Sequence, residues 1–303
     1  MRHFIESHFG IVLILACFGG LVIPGLDRLP NVWVVIALST MMFVSCYKLR
    51  DGGLDAIRWR DVLLFYVLRF VVLPVLLWWL AGIFAPSYAT SVFLLSVLPA
   101  GVASPAFVNI YGGTVAISFA VVVLSQLLTP FLIPLQFSWM SGVAVTPSLT
   151  ALFFTMVWGI FVPMAAYALL KKHRRMGDYF YRQNKFFSIL LVAFIIALAL
   201  AKQRDVIFTS GWELLITLAI AFLCFACYIV FGWLCVLHRP RIERITYSVC
   251  SGFNNAALGL SLALLHFTPD VILFMAISEV AWAMLPIMFR GWLRWIGTGE
   301  LEN

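Results

Sequence analysis

Val249-Cys250-Ser251-Gly252-Phe253-Asn254-Asn255-Ala256-Ala257-Leu258 lies within an apolar run, Ile245 to about Phe267, that is long enough to cross a bilayer. Its centre holds a glycine and two adjacent carboxamides where a lipid-facing helix would carry Leu and Ile. Carboxamides at bilayer depth are costly unless they meet a partner, an ion or a water-lined cavity. A Gly-Phe-Asn-Asn break also leaves half-helix ends, with free N–H and C=O groups, near the midplane. The stretch therefore predicts a discontinuous helix that builds a site, and the rest of the chain is read as what positions it.

Of the 303 residues, 63% are hydrophobic and 11% charged. Soluble domains run nearer half apolar and a quarter charged, so the chain is an all-α membrane protein. Windows of about 20 apolar residues give ten spans, at roughly 8–24, 31–47, 61–84, 87–110, 114–136, 148–170, 185–202, 211–236, 245–267 and 269–293. Glu6, His3 and His8 precede the first span and no small-residue cleavage site follows it, so it reads as a retained crossing. Cys224 and Cys227 form a C-x-x-C inside an apolar run, with no His or basic residue nearby; they read as packing residues and not a redox or zinc pair.

The net charge of +7 is explained by where the basic residues fall. With ten crossings, one side collects Arg2, Lys48, Arg50, Arg58, Arg60, Lys171, Lys172, Arg174, Arg175, Arg182, Lys185, Arg239, Arg241, Arg244, Arg290 and Arg294, and the other only Arg28, Lys202 and Arg204. That is a positive-inside signature, which predicts both termini in the cytoplasm of an inner or plasma membrane protein and makes nucleic acid unnecessary. Five crossings in 1–136 and five in 148–293, joined by the Ser138–Pro147 loop, predict two inverted repeats, a transporter architecture. The fourth span repeats the interruption of the ninth: Leu98-Pro99-Ala100-Gly101-Val102-Ala103-Ser104-Pro105 sets two prolines, a glycine and a serine in mid-span. The two discontinuous helices are expected to cross.

Pro99-Ala-Gly-Val-Ala-Ser-Pro-Ala-Phe-Val-Asn-Ile-Tyr-Gly-Gly-Thr-Val-Ala-Ile-Ser118, continuing to Ser125-Gln-Leu-Leu-Thr-Pro130, resembles helices four and five of the bile acid:sodium symporter family. Ser251-Gly-Phe-Asn-Asn-Ala-Ala-Leu-Gly-Leu resembles that family's ninth helix. The resemblance covers nearly the whole chain in layout and only part of each motif. It implies a panel of helices 1, 2, 6 and 7 and a core of the other six, with helices 4 and 9 crossing beside the substrate and two sodium sites.

Carried over residue by residue, the resemblance implies that Ser104 and Ser118 stand where family serines serve the first sodium site. Pro105 and Val122 replace two further ligands, and Cys250 replaces the family's glutamate, which serves both sites. Asn254 and Asn255 stand for its Gln-Asn pair beside Ser251, and Arg69 for a glutamine of the second site. Sodium prefers several hard oxygens and a carboxylate to offset its charge. Arg69 is a permanent cation, so it is expected to take the second sodium's place, with Glu279, an acid deep in the last span, as counter-ion; the alternative is an arginine that snorkels or pairs structurally with no ligand role.

The expected function is secondary transport of a small organic anion or amphipathic acid by alternating access, with sodium coupling in doubt. Half-helix N-termini near Ala103 and Asn255, with side chains of Ser104, Asn109, Asn254 and Asn255, would bind a carboxylate. Asn109 and Tyr111 would line the cavity, or Tyr111 would anchor the interface; Gln126 and Thr129 would re-satisfy backbone groups freed by Pro130. No nucleophile–base pair, metal cluster or cofactor motif is visible, so no enzyme is expected. The alternatives are an auxin-efflux-type or proton- or potential-driven carrier on the same fold, a channel, and a non-transporting receptor. Oligomeric state is open.

Overall fold

The computed structural model describes residues 9–30, 32–46, 57–139, 148–170, 174–202, 204–209 and 211–296. Arg2, Lys48, Arg50, Lys171, Lys172, most of the Ser138–Pro147 loop and both termini lie outside these residues, and with them much of the charge asymmetry that predicted the orientation.

The described residues are 87% helical and form no β-strand. The helices are α1 (Phe9–Val22), α2 (Val32–Cys46), α3 (Trp59–Phe84), α4 (Ala89–Val97), α5 (Ser104–Ile110), α6 (Val115–Trp139), α7 (Leu149–Leu170), α8 (Arg174–Lys202), α9 (Arg204–Thr209), α10 (Gly211–Leu234), α11 (Arg241–Gly252), α12 (Ala256–His266) and α13 (Pro269–Trp295). By length and composition, α3, α6, α10, α13 and Thr150–Leu170 of α7 can cross a membrane. Large apolar side chains such as Trp79, Leu223 and Ile287 are more than half exposed on these helices, as expected where the solvent is lipid.

Neighbours fall into two sets. Helix α8 packs on α1 and α2, and α2 on α7; separately, α10 packs on α11 and α13, α12 on α13, α4 on α3, and α5 and α11 on α6. Contacts of α8 with α12 and α13, and of α6 with α7, join the sets.

Proline chemistry explains α3. Pro74 has no N–H, so the carbonyl four residues earlier, that of Phe70, loses its helical donor. The buried Gln136 of α6 supplies one, with Nε2 donating to Phe70 O at 2.7 Å. The helix widens into a π-turn over Leu68–Val72, next to this gap, and Arg69 sits on that turn. At Pro130 the expected repair is not made by these side chains. The freed carbonyl is that of Gln126, whereas Thr129 Oγ1 donates to Ser125 O at 2.6 Å and Gln126 Nε2 to Ala100 O at 3.2 Å.

Both predicted breaks are present, and they meet. Helix α4 stops at Val97 because Leu98 turns extended (φ −62°, ψ 139°) ahead of Pro99, as pre-proline sterics favour. Helix α11 stops at Gly252, and α12 starts at Ala256 with Asn255 as its N-cap, Oδ1 accepting from Leu258 N at 3.2 Å. Between the stops, Ala100 and Asn254 form an isolated antiparallel bridge. Gly101 N donates to Phe253 O at 2.7 Å, and Asn255 N to Pro99 O at 2.8 Å. A Cβ on Gly101 would stand 2.8 Å from Phe253 O and 2.9 Å from Asn254 O. These are backbone atoms of the bridge itself and cannot swing away. We therefore expect Gly101→Val to cost at least about 1–3 kcal/mol, read as a lowered melting temperature and a smaller monodisperse fraction on size exclusion; a wild-type melting curve would contradict the bridge.

Candidate functional site at the helix crossing

Around the bridge, side chains from α5, α6, α13 and the α11–α12 break itself satisfy what the breaks expose. Ser104 Oγ donates to Phe253 O (3.1 Å), Asn254 Nδ2 to Leu95 O (3.0 Å) and Trp282 Nε1 to Asn254 O (3.2 Å), while Ser125 Oγ accepts from Ala100 N (3.2 Å). Ser104, Ser125, Asn254 and Asn255 are all buried. Three side-chain atoms are left over: Asn254 Oδ1, Asn255 Nδ2 and Oε1 of Gln126, whose Nε2 holds Ala100 O, are buried without a hydrogen-bond partner. An orphaned buried donor or acceptor costs about 1–3 kcal/mol. Each such group calls for an explanation beyond the protein's own hydrogen bonds.

Arg69 is the largest fully buried side chain, 0% exposed. Its Nε and Nη2 donate to Ser251 O at 3.0 and 2.9 Å, and its Nη1 to Ser96 O at 2.8 Å. The guanidinium lies 4.3 Å from the Tyr228 ring centroid and 5.0 Å from that of Phe70. Charge-assisted bonds are worth about 1.5–3 kcal/mol each and a desolvated cation–π contact about 2. Together they offset a desolvation cost of several kcal/mol. The expected pairing with Glu279 does not form: among the described residues no carboxylate lies within 4.0 Å of Arg69. Glu279 is itself buried on α13 with Oε1 unpartnered. The fork is taken up by two helix-end carbonyls instead, those of Ser96 and Ser251.

The other expected residues divide. Ser118 and Cys250 are brought together, Cys250 Sγ donating to Ser118 Oγ at 3.2 Å, both fully buried. Ser251 turns its hydroxyl to Tyr228 O (2.6 Å) and its carbonyl to Arg69. Ala103 caps α5, half-buried and with no side-chain bond to offer. Asn109 is not at the crossing. It is exposed, five residues into α5 and so about 7.5 Å along it. Tyr111 is buried; its hydroxyl donates to Pro286 O at 2.8 Å and its ring meets Phe289 edge to face. Helix α5 has only seven residues, and the N–H groups of Ser104, Ala106 and Phe107 bond within its own turn, so it makes no second anion-binding end.

Sequence reasoning missed Ser96, Gln136, Tyr228 and Trp282. The serines of α11 offered a signal, since Ser248 and Ser251 both donate to α10 carbonyls at 2.6 Å across a contact that Gly232 keeps open. Tyr228 is held by the same geometry. Its hydroxyl is 2.8 Å from Ser96 Oγ, whose proton goes to Val92 O, so the tyrosine donates.

Half-helices that meet at a buried joint, in a chain with several spanning helices, define a multi-pass membrane transporter. The comparisons agree. The profile of the Sodium Bile acid symporter family matches residues 35–210, and the chain belongs to that family. It is also 25% identical over 279 residues, 89% of this chain and 85% of the relative, to a Bacillus subtilis (strain 168) protein described as the uncharacterized sodium-dependent transporter YocS.

Tyr228 separates two supports of Arg69. Tyr228→Phe keeps the ring and loses one hydrogen bond, an expected cost of about 0.5–1.5 kcal/mol. Tyr228→Leu also loses the cation–π contact, about 2 kcal/mol more. Thermal unfolding of the two variants should rank them in that order; equal melting would remove the ring from the account.

Proposed function

We propose that this protein is a secondary transporter that binds a small organic anion at the crossing of α4–α5 with α11–α12 and moves it by alternating access. One observation carries the reading: an unpartnered buried amide donor, Asn255 Nδ2, stands at the start of α12. The opening N–H groups of a helix are orphan donors with a positive potential. Asn255 Oδ1 already holds Leu258 N, so its Nδ2 is the group left for an incoming carboxylate. Asn254 Oδ1 adds an acceptor for a hydroxyl on the same guest.

The wider architecture follows the same reading. Ten crossings in two inverted halves, 1–136 and 148–293, would place both termini in the cytoplasm. The mutual packing of α1, α2, α7 and α8 supports a panel that slides against a core of α3–α6 and α10–α13. Asn254 and Asn255 are 1% and 6% exposed, which fits a closed state in which neither side has access. The bilayer is the one partner this mechanism requires.

The test is a thermal-shift screen of purified protein against simple carboxylates and steroid acids, followed by counterflow in proteoliposomes. Asn255→Asp and Asn255→Ser keep an N-cap oxygen for α12 and remove the amide donor. We expect both to melt close to wild type and to lose at least about tenfold in affinity, a 1.4 kcal/mol effect, for any carboxylate that shifts the wild type. Ligand shifts that survive in both variants would move the binding site elsewhere.

A further inference from the structure

The two carbonyls that hold Arg69 occupy equivalent places. Ser96 is the penultimate residue of α4, and Ser251 the penultimate residue of α11. Each helix C-terminus carries about half a negative charge, so two of them converge on one buried point with a sum near one. Half-helix C-termini and unwound carbonyls are where transporters with broken helices hold a coupling cation. Here the guanidinium contributes +1 at that point from a covalent tether, its bonds divided between the two ends.

We propose that Arg69 is a tethered cation that permanently fills a monovalent-cation site at the two half-helix ends, so that the carrier takes up no sodium there. Among the described residues no carboxylate lies within 4.0 Å of the guanidinium, so a sodium ion there would also lack an acid to offset its charge. A sodium ion placed on Ser96 O or Ser251 O would sit beside a guanidinium that cannot deprotonate. The consequence is a transport cycle with one fewer dissolved cation than a carrier whose crossing is charged by ions from solution, and a crossing whose stability ignores the salt around it. The inference rests on the carrier reading above.

The experiment compares melting temperatures of the purified full-length protein in sodium chloride and in choline chloride at equal ionic strength. Wild type is expected to melt at the same temperature in both. Arg69→Ala should melt about 10 °C lower in choline, the scale for losing three buried charge-assisted hydrogen bonds. It should recover most of that loss, saturably, with millimolar methylguanidinium or with sodium. A purely structural arginine predicts the loss without the rescue.

Saturable sodium stabilisation of the wild type overturns the proposal, and so does an Arg69→Ala protein that neither loses stability in choline nor regains it with a cation. If Arg69→Ala cannot be recovered folded, Arg69→Lys decides together with the wild-type titration. Its ammonium keeps the charge, so salt-independent melting supports the tethered cation, and a new sodium requirement overturns it. Failure of the carboxylate reading is scored separately, by the Asn255 variants, whose cation response should match that of the wild type.

Discussion

A broken helix in hydrocarbon must find partners for the N–H and C=O groups it exposes, and in this protein the two breaks partner each other. The bridge between Ala100 and Asn254 is the smallest unit of sheet, one pair of residues held by two hydrogen bonds. It closes what Pro99, Gly101 and Gly252 open. Neither break could persist alone, because each would leave several polar groups unsatisfied at several kcal/mol apiece. The close approach of the two backbones follows from the absence of a side chain at Gly101 and brings Asn254 and Asn255 to the centre of the fold.

From that constraint the electrostatics follow. A crossing of four half-helix ends has both signs of potential within a few residues. The C-terminal ends are neutralised internally by Arg69, which is why a full charge can be 0% exposed with no carboxylate beside it. The start of α12 is left with an amide donor that nothing in the protein uses. The site is therefore asymmetric, satisfied on its negative ends and open on a positive one. In the proposed mechanism that asymmetry favours an anion as guest, and the tethered-cation proposal reconciles membership of a sodium-named family with carbonyls already taken by Arg69.

Glu279 lies outside this arrangement. Oε1 is buried on α13 without a partner, one helical turn before Trp282, which itself donates to Asn254 O. Its distance from Arg69 separates two charges that the sequence alone would pair, since they are the intramembrane acid and base most easily matched on paper.

Hydrophobic windows, prolines and glycines are local signals, and they placed both interruptions from the sequence: α4 ends one residue before the Leu98-Pro99 step, and α11 ends on Gly252. The type of each key residue was equally legible, because a carboxamide or a guanidinium at bilayer depth demands a partner wherever it sits. The partners themselves were not. Arg69 bonds Ser251, 182 positions away, through a backbone carbonyl that every residue possesses and no composition distinguishes. Ser96 and Tyr228 are ordinary in sequence and meet only because α4 and α10 are brought side by side. Asn109 shows the reverse: its chemistry fitted the site, but the helical rise of α5 carries it away from the joint and out to the surface. Breakage and burial are properties of short segments, whereas the pairing of one buried group with another depends on how distant segments pack, which only the tertiary structure decides.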